Sequence, residues 1–191
     1  HGYLKFRPED FIVEEVSLDG KISEIEPRQG DVIIPQEERF TMYADLVKVN
    51  LPTFEAINRL VSQLGITPNK IGYAGVKDAQ AVTSQKISMS GIDYGMIKDI
   101  KEEGFLLTNI FYGKGAVQPS ALYGNRFTIF VRTDREVPQD YLIPRLKDAK
   151  ENGFLNYYQT QRFGGIRLMS HELGKLILQK RYDEALGTFL T

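Results

Sequence analysis

The chain has 191 residues, with 42% hydrophobic and 26% charged side chains, a formal net charge of −1 and no cysteine. These values exclude a disulfide scaffold and a thiolate metal site, and with His1 and His171 the sole imidazoles, carboxylate chemistry is a better expectation than a His-based metal centre or a Ser-His-Asp triad. Residues 1–60 carry seven basic and twelve acidic side chains, whereas residues 145–191 carry eight and five, so any nucleic-acid surface is local and lies late in the chain.

In chain order, Lys5-Phe6-Arg7-Pro8-Glu9-Asp10 leads into Phe11-Ile12-Val13-Glu14-Glu15-Val16, a proline-marked start to a short strand. Residues 17–38 hold no sustained period and read as a loop or loose hairpin. Phe40 to Val49 alternates as a strand. Thr53 is expected to cap a helix whose Ile57, Leu60, Val61 and Leu64 fall at i, i+3, i+4 and i+7, with Gly65 as its stop.

Next comes Ile71-Gly72-Tyr73-Ala74-Gly75-Val76-Lys77-Asp78, followed by a β-type run over about 83–89. Asp78 therefore sits on a turn between two strand-like segments, where a carboxylate can meet a ligand without ladder bonds competing for it. The plain alternative is a solvated Lys-Asp pair. Asp93 to Glu103 is expected to form a short helix weakened by Gly95, and Phe105 to Tyr112 a strand. Leu122 to Arg132 alternates most clearly of all. Residues 138–152 read as helical, with Pro144 at an element end or a kink, and two short helices follow, starting near Ser170 or His171 and near Asp183.

Three clusters carry chemistry: Lys5 to Phe11, the Asp78 turn, and Asn156 to Gly164. In the last, aromatic rings lie beside Asn, Gln and Arg, which together can stack on an unpaired base, meet its edge and hold a phosphate. The same rings also suit a buried strand. Lys5 is either an exposed terminal lysine or the counter-charge of a carboxylate. No phosphate-binding loop occurs, and Gly113-Lys114-Gly115 lacks the third glycine of a dinucleotide fingerprint, so no nucleotide cofactor is indicated.

Four colinear blocks resemble the TruD family of pseudouridine synthases: Lys5…Pro8-Glu9-Asp10-Phe11-Ile12-Val13-Glu14, Ala74-Gly75-Val76-Lys77-Asp78…Ala81-Val82-Thr83-Ser84-Gln85, Gly124-Asn125-Arg126-Phe127, and Asn156-Tyr157-Tyr158…Gln161-Arg162-Phe163-Gly164. The Tyr-Tyr form of the last block is similar to the archaeal and eukaryotic branch more than to the bacterial one. The resemblance implies an α+β fold with a largely antiparallel mixed sheet and helices packed on it. It also implies a cytoplasmic isomerase, free of cofactor and metal, that converts a uridine of tRNA, at position 13, to pseudouridine. Asp78 matches the catalytic aspartate, Lys5 and Asn156 auxiliary residues, Tyr158 the stacking aromatic, and Arg162, Glu9 and Phe11 substrate-binding or supporting positions.

Two departures stand out. Gln159 occupies a position where the family usually has glycine. Family members are also longer, with a domain inserted after the Arg162-Phe163-Gly164 block and a last segment completing the sheet. Residues 1–165 are therefore expected to form an incomplete catalytic domain, and 166–191 the start of the inserted one. Two rivals stay open: a non-catalytic RNA-binding module or tRNA chaperone, and a carboxylate hydrolase using Asp78 with Glu9.

Overall fold

The computed structural model describes residues 2–28, 41–100, 102–155 and 169–190. The chain divides into two compact units, His1–Glu136 and Val137–Thr191.

The first unit is built on strands β1 (Gly2–Tyr3), β2 (Phe11–Val16), β3 (Thr41–Val49), β4 (Ile71–Tyr73), β5 (Val82–Ser90), β6 (Phe105–Gly113), β7 (Gly124–Ile129) and β8 (Arg132–Thr133), with helices α1 (Thr53–Leu64) and α2 (Tyr94–Ile97) between them. Six strands form one sheet in the order β6-β3-β5-β2-β7, with β4 added to β5, while β1 and β8 pair separately. Among the described strands β2 and β5 make the single parallel pairing, Val13 opposite Thr83; the other pairings are antiparallel. The architecture is thus α+β with a mixed, mostly antiparallel sheet, as the family resemblance implies.

Period-two alternation splits this sheet into an apolar and a polar face. Met42, Ala44 and Leu46 of β3 and Ile87 and Met89 of β5 are buried with Ala56, Ile57, Leu60 and Leu64 of α1, joined by Ile71, Ile92, Ile97 and Phe105. Gly65 ends α1 in the left-handed region at φ 63°, which glycine adopts without a Cβ clash. The alternate residues of β3 and β5 include the polar side chains Asp45, Ser84, Lys86 and Ser88. Ser84 Oγ donates to the Glu24 carbonyl, Lys86 Nζ to Ser17 Oγ, and Asn109 Nδ2 to Asp45 Oδ2.

Three local expectations are corrected. Thr53 is the first residue of α1 and does not cap it; Pro52 holds the cap position, and the Thr53 hydroxyl is committed to the Asp78 turn. The helix expected over 93–103 shrinks to Tyr94–Ile97, with the Asp93 carboxylate accepting from the Met96 N–H at 3.2 Å. Gly95 limits its helical propensity, and buried Ile97 anchors the one turn that forms. The alternating run over 122–132 is broken into β7 at Gly124–Ile129, at the sheet edge with Phe127 and Ile129 exposed, and β8, which begins at Arg132.

The second unit contains α3 (Gln139–Asn152), α4 (Ser170–Leu178) and α5 (Tyr182–Leu190). Pro144 lies inside α3 and not at an end. Its ring removes one intrahelical donor, and the Arg145 guanidinium lies 4.2 Å from the Tyr141 ring centroid beside it. Helices α4 and α5 contact each other, and Ala185 is the buried hydrophobic residue of this unit among those described.

Candidate active site

Strand β4 ends at Tyr73 and β5 begins at Val82, so residues 74–81 form a connection with no ladder bonds of their own. Side chains from the apolar side of the sheet supply the missing partners. Thr53 Oγ1 accepts from the Lys77 backbone N–H at 3.0 Å and donates to Gln85 Oε1 at 3.2 Å. Gln85 Nε2 in turn donates to the Gly75 carbonyl at 2.8 Å. The Asn50 N–H donates to the Ala81 carbonyl at 3.0 Å, and the Ser120 N–H to the Ala74 carbonyl at 2.7 Å. Buried backbone groups need partners, so this set fixes the path of the loop. Gly72 matters just upstream, because a Cβ there would lie 2.5 Å from the Val117 carbonyl oxygen and 2.6 Å from Ser88 Oγ.

Three lysines meet this loop in different ways. Lys5 Nζ donates to Asp78 Oδ1 at 2.7 Å, with side chains 31% and 43% exposed, so the carboxylate is both paired and open to a ligand. Lys77 points away and forms an ion pair with Glu15 of β2 at 2.6 Å, where both side chains are buried. Lys48, the largest fully buried side chain of the unit, donates from Nζ to the Asp78 carbonyl oxygen at 2.7 Å. Burial of its ammonium, only partly offset by the attraction of Asp78 and reinforced by the repulsion of Lys77, lowers its pKa to about 8.

Lys5 owes its position to the turn that follows it. Pro8–Asp10 forms a 3-10 turn in which the Arg7 N–H donates to Asp10 Oδ2 at 3.1 Å and the Asp10 N–H to the Arg7 carbonyl at 3.0 Å. Buried Asp10 also takes both guanidinium branches of Arg132, Nε at 2.6 Å and Nη2 at 2.7 Å. That fork holds the Asp10 carboxyl below the usual carboxylate range. Lys5 adopts φ 55°, a conformation rare for a residue with a Cβ. Its Nζ lies 3.9 Å from the centroid of Phe11, whose ring leans on Phe127 at 5.9 Å between centroids.

Of the residues singled out in the sequence, the structure therefore brings together Lys5, Phe11 and Asp78. Glu9 is exposed on the 3-10 turn, where its charge acts on Arg132. Asn156, Tyr158 and Arg162 lie outside the described residues. The sequence assigns no site role to Asp10, Glu15, Lys48, Gln85 or Arg132, and marks Thr53 only as a helix cap. One signal for Lys48 was in the alternation of β3: it shares the phase of Met42, Ala44 and Leu46, so a charge stands where the pattern calls for a core side chain.

A half-exposed carboxylate on a pinned loop, with an ammonium on one oxygen, is an arrangement able to meet a ligand with a fixed negative charge. The family model described as "tRNA pseudouridine synthase D (TruD)" matches residues 1–191, and the chain belongs to this family. A "Probable tRNA pseudouridine synthase D" from Pyrobaculum islandicum is 38% identical over 183 residues, covering 96% of this chain and 42% of the relative. A "Probable tRNA pseudouridine synthase D 1" from Methanocaldococcus jannaschii is 31% identical over 191 residues, covering 98% and 48%. A crystal structure from Methanosarcina mazei, assigned to tRNA pseudouridine synthase D (TruD), superposes with a TM-score of 0.73 at 28% identity, covering 96% of this chain and 40% of that one. The chain spans less than half the length of these relatives.

Proposed function

We propose that the protein containing this chain isomerises uridine to pseudouridine in tRNA, at position 13, and that Asp78 is its catalytic carboxylate. The observation that carries this reading is the Asp78 carboxylate itself: open to a ligand, bound to Lys5 at 2.7 Å, and carried on a loop whose backbone is held by Thr53, Gln85 and Lys48. A preorganised anion of this kind suits a reaction in which positive character develops at the sugar C1′, because it needs no rearrangement as the charge appears.

The reaction balances without a cofactor. The N1–C1′ bond breaks, the base turns, a C5–C1′ bond forms, the proton on C5 leaves to solvent and N1 takes one up. The uridine must first leave its stack, at a cost of a few kcal/mol. Attack by the carboxylate at the sugar or at the base, and its assistance to a glycal-like intermediate, are alternative routes within this reading.

Tyr158, by its motif, would stack on the extruded base, with Asn156 at the base and Arg162 on the backbone. Phe11 supports the Lys5 ammonium from below. Helices α4 and α5 fit the start of the family's inserted domain.

The test is tritium release from tRNA labelled at uridine C5, using the full-length protein and its Asp78→Asn variant. Release by the wild type and none by the variant is expected. Equal release by both would overturn the role of Asp78. Binding of tRNA by the wild type without new pseudouridine would instead identify a binding module.

A further inference from the structure

Lys48 stands out because nothing about a core strand requires a charge there. It is fully buried on β3, in the row of Met42, Ala44 and Leu46, and its Nζ reaches past this apolar row to the Asp78 carbonyl oxygen at 2.7 Å. Thr83, its cross-strand neighbour on β5, is also fully buried, and no described residue bonds its hydroxyl. Lys48 and Thr83 thus set two buried polar side chains side by side at the end of the apolar row.

Resting on the isomerase reading above, we infer that Lys48 is a positioning residue: its ammonium holds the main chain of Asp78 from beneath, so that the carboxylate above stays directed at the ligand. Asp78 is thereby fixed at both ends. Lys5 holds the side-chain oxygen and Lys48 the carbonyl, and the two bonds come from segments that do not touch the loop in sequence. Backbone placement controls rate strongly, since a displacement of about 1 Å at a reacting group can lower it about 100-fold.

A residue retained only for stability would have the opposite energetics. Burial depresses the Lys48 pKa to about 8, which means that the fold works against its charge and not through it. Methionine has a similar length and no charge, so Lys48→Met removes a desolvated ion and leaves the core filled.

The experiment compares full-length wild type with Lys48→Met. The expected result is an unchanged or raised melting temperature, a kcat on tRNA lower by about 10- to 100-fold, a KM within about twofold, and faster amide exchange confined to residues 74–81. Unchanged kcat with unchanged exchange overturns the inference. So does a rise in KM alone, which would place Lys48 in substrate binding. A Lys48→Met protein that fails to fold overturns it as well, because the side chain would then be holding the core. The exchange readout needs no turnover. If the wild type releases no tritium from tRNA, the isomerase reading fails while the tethering of the loop by Lys48 is still decided by exchange.

Discussion

Lys5 and Asp78, 73 residues apart in the chain, meet in a 2.7 Å ion pair that is a third exposed on one side and nearly half on the other. An exposed pair of this kind adds little to stability, about 0–1 kcal/mol. Lys5→Met is accordingly expected to leave the melting temperature within about 2 °C of wild type. Its effect falls on the site, with kcat lower by about 10- to 100-fold as the carboxylate loses its fixed rotamer. Thermal denaturation and tritium release on the same preparation separate the two; a large fall in melting temperature would make Lys5 a structural residue.

Thr53 makes the contrasting case. Its hydroxyl is buried and serves the Lys77 N–H and the Gln85 amide together. Thr53→Val keeps the shape and leaves both groups unpaired, which costs about 1–3 kcal/mol. Thr53→Ser keeps the hydroxyl and is expected to recover most of the loss. Urea midpoints of the two variants test this, and equal destabilisation by Val and Ser would show that the methyl group matters and the hydroxyl does not.

Asp10 links acid stability to the placement of Lys5. Because Arg132 lowers its pKa in the fold, the carboxylate contributes stability that is present above the ordinary carboxylate value and lost as pH falls through the lowered one. Asp10→Asn should therefore be less stable than wild type at neutral pH, with the difference narrowing as acid protonates the wild-type group. Denaturation midpoints measured from neutral to strongly acidic pH check the convergence. Parallel curves would mean that the Arg132 fork does not titrate with folding.

Asp45 should behave in the reverse sense. Burial raises its pKa, against the smaller opposing effects of Asn109, which donates to Oδ2 at 2.8 Å, of the Ser23 hydroxyl, and of the Lys86 and Arg28 charges. The folded state thus favours the protonated form, and stability rises as pH falls through the raised value. Asp45→Asn is expected to stabilise the protein by on the order of 1 kcal/mol at neutral pH, with a smaller gain in acid. A destabilised variant at neutral pH would show that Asn109, Ser23, Lys86 and Arg28 together outweigh the cost of burying the charge.

Local pattern made much of this fold legible. The apolar spacing of Ile57, Leu60 and Leu64, with Gly65 behind it, marks α1 because a helix face needs only neighbours within two turns. The Asp78 turn was legible for the same reason, being bounded by short β-type runs on each side. Thr53 was misread because its hydroxyl satisfies two donor-acceptor needs of a loop 24 residues away, while local sequence shows only a polar residue at a helix start. Likewise the Pro8-Glu9-Asp10 turn offers two carboxylates. Only the partnership of Asp10 with Arg132, 122 residues on, decides which is buried.

The place of β2 inside the sheet, between β5 and β7, has a kinetic side. Its parallel partner β5 lies about seventy residues later, and its other neighbour, β7, lies over a hundred residues on, so β2 can be sealed in only after long stretches of chain have closed. Asp10 and Glu15 belong to β2 or the turn before it, and Lys5 to the segment leading into that turn, so Asp78 acquires its Lys5 partner only when that closure is complete. On refolding of the full-length protein from urea, helical signal should return ahead of the proposed tritium release from tRNA, with that activity following the slowest conformational phase; simultaneous recovery would mean that β2 joins the sheet early.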